Sequence, residues 1–121
     1  MTTNWKVRCY RSFVSTYKVE FVVITDNDIH QSFVLTEGNQ QHCRFIARMF
    51  RLALRKVIAA EITRHNEDTE LLTLSLRKCA ILLSDNRGAT VNITTRRELR
   101  KAMKNVMSAE IKKHAEAGVR A

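Results

Sequence analysis

Proline is absent from this chain, and glycine occurs only at positions 38, 88 and 118. With so little punctuation, Gly38 and Gly88 are expected to mark turns, and nothing resembles a Pro- or Gly-rich linker. There is no internal repeat and no low-complexity segment, so residues 1–121 read as a single domain. Cysteine is scarce as well. Cys9, Cys43 and Cys79 are an odd number at wide spacing with no CxxC pair, which excludes a disulfide framework. The adjacent His42-Cys43 does not complete any zinc-ligand spacing. No apolar run approaches the roughly 20 residues that span a bilayer. The opening MTTNWKVRCY lacks the apolar core of a signal peptide. A reduced, cytoplasmic protein is expected, in which the Asn92-Ile93-Thr94 sequon is without consequence.

Catalytic signatures are missing too. There is no Gly-x-Ser-x-Gly turn and no phosphate-cradling glycine loop, and Cys43 and Cys79 fall on apolar stripes expected to be core. Asp26 and Asp28 flank Asn27 close to His30, and with Glu20 they could form part of a metal-dependent nuclease. The plainer reading is a turn, in which Asp and Asn side chains bond their own backbone. No cofactor and no metal are expected, and the chain is read as a non-enzyme.

What is present is a foldable and strongly basic composition. Hydrophobic residues make up 45% and charged residues 27%, ordinary globular usage that argues against disorder. A chain of 121 residues buries roughly two thirds of the surface its unfolded form exposes. The 21 basic and 12 acidic side chains leave a net charge of +9, which suits an anionic partner. Both halves are positive: residues 1–60 hold nine basic and four acidic groups and residues 61–121 hold twelve and eight, so there is no separate basic tail.

Three strands are expected first. Trp5 to Phe13 alternates, placing Trp5, Val7, Cys9 and Phe13 opposite Lys6, Arg8 and Tyr10. KVEFVVIT, from Lys18 to Thr25, is rich in β-branched and aromatic residues, and Ile29 to Thr36 alternates again. Short connections make these an antiparallel meander. From Asn39, a plausible N-cap, to Arg64 the period becomes helical, through Ile46, Phe50, Ala53, Val57 and Ala60. Leu71 to Leu83 fits either a strand or a helix with Leu72, Leu76, Cys79 and Leu83 on one stripe, with propensity on the side of the helix. SDNRG then turns into a short strand, ATVNIT, over 89–94. Thr95 with Glu98 matches a capping box for a last helix reaching about His114, with Leu99, Ala102, Met103, Val106 and Ala109 as its apolar stripe. The fold class is therefore α+β. A mainly antiparallel sheet, made of the meander plus a later strand, is expected to carry a long central helix and a C-terminal amphipathic helix on one face.

The segment RFIARMFRLALRK, from Arg44 to Lys56, carries five cations and no acid. On a helix of 100° per residue Arg44, Arg48, Arg51 and Arg55 fall within an arc of roughly 60°, flanked by apolar residues. Like charges spaced three and four apart repel by a few tenths of a kcal/mol per pair unless a counter-charge lies against them. Arginine forks suit carboxylate or phosphate. The bland alternative is pairing within the fold, with Glu61, Glu67, Asp68 and Glu70. On the last helix Arg97, Arg100, Lys101, Lys104 and Lys112 are expected on the face opposite the apolar stripe. Arg96 and Arg97 stand at a helix start, where positive charge opposes the dipole unless a phosphate is bound there. Lys6, Arg8, Tyr10, Tyr17 and Lys18 could form an aromatic and basic platform for unpaired bases.

The expectation is a small basic accessory or regulatory protein that binds DNA or RNA. Its phosphate contacts would come from Arg44, Arg48, Arg51, Arg55, Lys56, Arg96, Arg97, Arg100, Lys101 and Lys104. The runner-up is an inhibitor or adaptor module that docks this surface on an acidic protein. The apolar faces look committed to a core, so a membrane partner is not expected. A homodimer through Phe45, Met49 and Leu52 would align two arginine ridges.

Overall fold

The computed structural model describes residues 3–26, 28–65, 68–86 and 93–120. The alternating N-terminal segments form β1 (Thr3–Phe13), β2 (Thr16–Thr25) and β3 (Asp28–Gly38), each extending the expected strand by a few residues. They pair antiparallel in the order β1-β2-β3. Phe13 lies opposite Thr16 at one hairpin, and Thr25 opposite Asp28 at the other. Asp26 takes φ +52°, the left-handed region that Asp tolerates in tight turns, so the chain turns at Asp26, while Asn27 lies outside the described residues. Val7, Phe21 and Phe33 stand in one cross-strand row, with the two phenylalanine rings 5.4 Å apart. In central β2, Val19 to Val23 is buried without interruption. On β3 the register shifts twice, which puts Leu35 and His30 at the irregularities.

Four helices follow among the described residues: α1 (Gln40–Lys56), α2 (Ala59–His65), α3 (Thr69–Asp85) and α4 (Ile93–Arg120). The fold is α+β, as expected. Internal contacts divide the chain into two compact units, Met1–Arg51 and Leu52–Ala121, with the boundary inside α1.

In the first unit the Asn39 side chain accepts from the His42 amide at 2.8 Å, the expected N-cap of α1. Gly38 ends β3 just before it, and a Cβ there would meet the His42 ring at 2.9 Å, so glycine permits this close approach. Two contacts tie α1 to the sheet: the Cys43 thiol donates to the Tyr17 carbonyl at 3.3 Å, and Arg51 reaches the Val7 carbonyl. Cys43, Ile46, Ala47, Met49 and Phe50 are buried. Met49 therefore cannot belong to the surface patch expected of a dimer.

The second unit corrects the helix expected over 39–64. The chain breaks at Val57-Ile58, where both amides bond the Ala53 carbonyl at 3.0 Å and the Ile58 bond, reaching five residues back, closes α1. Hydrophobic spacing runs on through the break because Ile58 and Ile62 are buried like Ala53 before them, and periodicity carries no information about axis direction. His65 is fully buried; its Nδ1 donates to the Glu61 carbonyl at 2.6 Å and its Nε2 lies 2.9 Å from the Ser75 hydroxyl, linking α2 to α3. Asp68 caps α3 by accepting from the Leu71 amide at 2.9 Å. Residues 71–83 are thus helical, with Leu72, Leu76, Cys79 and Leu83 buried and Leu74 exposed.

α4 packs against α3 and α2. Of the strand expected over 89–94, residues 89–92 lie outside the described residues, as does Gly88, while Ile93 and Thr94 are helical. The helix is under way two residues before Thr95, so Thr95 and Glu98 are not its capping box. Its buried stripe is Leu99, Met103 and Met107, with Ala109 exposed.

Candidate nucleic-acid interface

Helical spacing sets Arg44, Arg48 and Arg51 on one side of α1, and all three are exposed while the opposite side is buried in the first unit. Among the described residues no carboxylate pairs with Arg44 or Arg48. Arg51 differs. Its Nε and Nη2 both donate to the Val7 carbonyl, at 3.2 and 3.0 Å. Val7 lies on β1, an edge strand whose outward backbone groups have no neighbouring strand in the described sheet, and the guanidinium covers one of them.

That contact closes one wall of a cleft of about 380 Å³ lined by Lys6, Val7, Arg8, Cys9, Tyr10 and Arg51. The sequence placed Lys6, Arg8 and Tyr10 together on the outer face of β1. It did not show that the arginine ridge reaches that strand, because the meeting depends on how α1 crosses the sheet. Within the cleft Arg8 is oriented by the nearly buried Glu20 directly across the ladder. Arg8 Nε and Nη2 both donate to Glu20 Oε1, the former at 3.0 Å, and the Tyr10 hydroxyl donates to Oε2 at 3.4 Å. The guanidinium also lies 5.8 Å from the Tyr10 ring centroid, within cation–π range. Lys18 is engaged by Glu37 at 3.5 Å. Lys6 and Arg11, both exposed, have no such partner among the described residues.

The carboxylates of the nuclease reading do not converge. Glu20 is held by Arg8 and Tyr10, and six residues of extended strand, roughly 20 Å, separate it from Asp26 in the hairpin turn. No cluster of three metal-ligating side chains occurs among the described residues. The cysteines are free thiols. Burial, reinforced by Cys9 and Glu37, pushes Cys43 up to about 11, and burial alone pushes Cys79 up to about 12. Both are protonated at neutral pH, with the Cys79 thiol donating to the Met103 carbonyl at 3.4 Å.

In the second unit Arg55 and Lys56 are exposed at the end of α1, and Arg97, Lys101, Lys104 and Lys112 are exposed on α4. Arg96 and Arg100 are not on the free face. Both are half-buried, and their Nε atoms are enclosed without a hydrogen-bond partner among the described residues. The reason lies in the register: 96, 100, 103 and 107 align along one side of α4, so these two stems flank the buried Met103 and Met107. Two of the four acids available for internal pairing are committed elsewhere. Glu61 pairs with Arg64 at 3.1 Å, and Asp68 caps α3 and meets His114 at 3.3 Å. Glu70 is exposed, and Glu67 lies outside the described residues. Among the described helices none is long and apolar enough to cross a membrane. No protein-family model, no curated protein and no solved structure matches the chain.

Proposed function

We propose that this protein binds nucleic acid without catalysis, in an accessory or regulatory role. It would grip phosphates with Arg44 and Arg48 of α1 and with the β1 cleft of Lys6, Arg8 and Arg51. The observation that carries the reading is that Arg44 and Arg48 stand exposed on adjacent turns with no counter-charge among the described residues. Their mutual repulsion is relieved when an anion lies along the ridge. Exposed Arg55, Lys56, Arg97, Lys101 and Lys104 add to the field that draws a polyanion in. A cytoplasmic location accompanies this reading, in keeping with three unpaired thiols.

The test is fluorescence-polarisation titration of labelled duplex DNA, single-stranded DNA and RNA from about 50 to 200 mM salt. Binding should weaken steeply with salt, and the Arg44→Glu/Arg48→Glu variant should lose it on all three polymers while keeping its circular dichroism spectrum. Absence of binding by the parent protein across that range overturns the proposal and directs the search to an acidic protein partner.

A further inference from the structure

The β1–β2 hairpin ends in Arg11-Ser12-Phe13-Val14-Ser15, and its tip exposes the apolar side chains of Phe13 (75%) and Val14 (70%). Turn chemistry does not ask for them, since Gly, Asn, Asp and Ser serve tight turns better. The ladder loses register between Arg11 and Phe13, leaving Ser12 as the extra residue, with its hydroxyl donating to the Thr16 carbonyl at 3.3 Å. Such irregularities re-aim side chains at a strand end. Arg11 is exposed two residues below Phe13, with no partner among the described residues; the ladder sets it opposite Tyr17 and Phe13 opposite Thr16, so the two leave the strand on opposite faces, with exposed Lys6 further down the face of Phe13.

An aromatic ring at a hairpin tip, above a strand that carries an exposed cation on each face, is complementary to a polymer that alternates flat apolar rings with phosphates. We infer that the hairpin tip is a base-stacking wedge for unpaired nucleic-acid bases, with Phe13 against a base and Arg11 on the neighbouring phosphate. This rests on the nucleic-acid reading above. It adds that the protein favours strands whose bases are unstacked or easily opened, because an aromatic side chain stacks on the face of any base. A bilayer is the weaker match: one phenylalanine and one valine present little apolar surface, and stable anchoring needs more than one such signal.

The experiment compares, with the full chain, a single-stranded oligonucleotide, an abasic oligonucleotide of equal length and charge, and the corresponding duplex. The parent protein should bind the base-bearing single strand roughly tenfold or more tightly than the abasic one, the range expected of one stacked base. Phe13→Ala should abolish that preference while leaving the salt dependence intact, and Phe13→Trp should retain it with a change in indole emission on binding. At 75% exposure neither change disturbs the core. If Phe13→Ala binds the base-bearing strand as tightly as the parent, the wedge is wrong although nucleic-acid binding stands. If the parent binds none of the three probes, both readings fall, and binding to phosphatidylserine vesicles lost in Phe13→Ala would reassign the tip to a lipid surface.

Discussion

Arg51 and Arg48 look equivalent on a helical wheel, yet the structure gives them different work, and replacing each with alanine separates the two roles. Arg48 is exposed and has no partner among the described residues, so Arg48→Ala should alter stability by no more than about 0.5 kcal/mol. Arg51 makes two charge-assisted hydrogen bonds, at 3.2 and 3.0 Å, to one carbonyl of an edge strand. Bonds to a charged group contribute about 1.5–3 kcal/mol each when well sheltered. Both land on the same acceptor and the side chain is partly solvated, so Arg51→Ala is expected to cost about 1–2 kcal/mol in total. For a chain of this size that is a fall in Tm of roughly 4–10 °C. Thermal unfolding followed by circular dichroism reads the difference directly. Arg51→Lys should fall between the two, because a single ammonium cannot reproduce the forked contact. Equal melting temperatures for Arg48→Ala and Arg51→Ala would refute the claim that Arg51 fastens α1 to β1.

Two further outcomes concern the second unit. Ser75→Ala removes the hydroxyl that bonds the His65 Nε2 and leaves a fully buried ring nitrogen without that partner, at a cost of about 1–3 kcal/mol read as a lowered urea midpoint. Ser75→Thr should recover part of it if the larger side chain is accommodated. The Cys79 thiol, raised from 9.0 to about 12 by burial, keeps its proton in the folded state while the unfolded chain gives it up. Its contribution is intact below pH 9 and declines as pH rises toward 12, by up to about 1.4 kcal/mol per pH unit. Denaturation at pH 8, 9 and 10 should therefore show the parent losing stability faster than Cys79→Ala, and parallel pH dependences would contradict the assignment.

Elements with strong local signals were legible from the residues. The alternation of β1, the β-branched run of β2 and the Asn39 cap all reported short-range physics, and they stand where expected. The Asp26 turn was legible for the same reason, since few residues other than Gly, Asn and Asp adopt its backbone conformation readily. The break after Lys56 was not, because buried Ala53 before it and buried Ile58 and Ile62 after it continue an apolar spacing through it. The Thr95-x-x-Glu98 pattern misled for a related reason: a capping motif is two side chains at the right spacing, and it acts only where the backbone has not already begun the helix. Arg100 was expected opposite the apolar stripe, but the buried stripe of α4 runs through Met107, which shifts its centre toward Arg96 and Arg100.

Sequence by itself determined the α+β class, the three-stranded meander, the core position of Cys43 and Cys79 and the narrow arginine ridge, because each follows from residue type and spacing within one element. Tertiary structure decided which ridge arginine is spent on the fold. Arg51 meets Val7 of β1 across forty-four positions of chain, and that contact places it beside Lys6, Arg8 and Tyr10 while Arg44 and Arg48 have no partner among the described residues. Spacing along a helix says which side chains share a face; only the path of the chain in three dimensions says what that face meets.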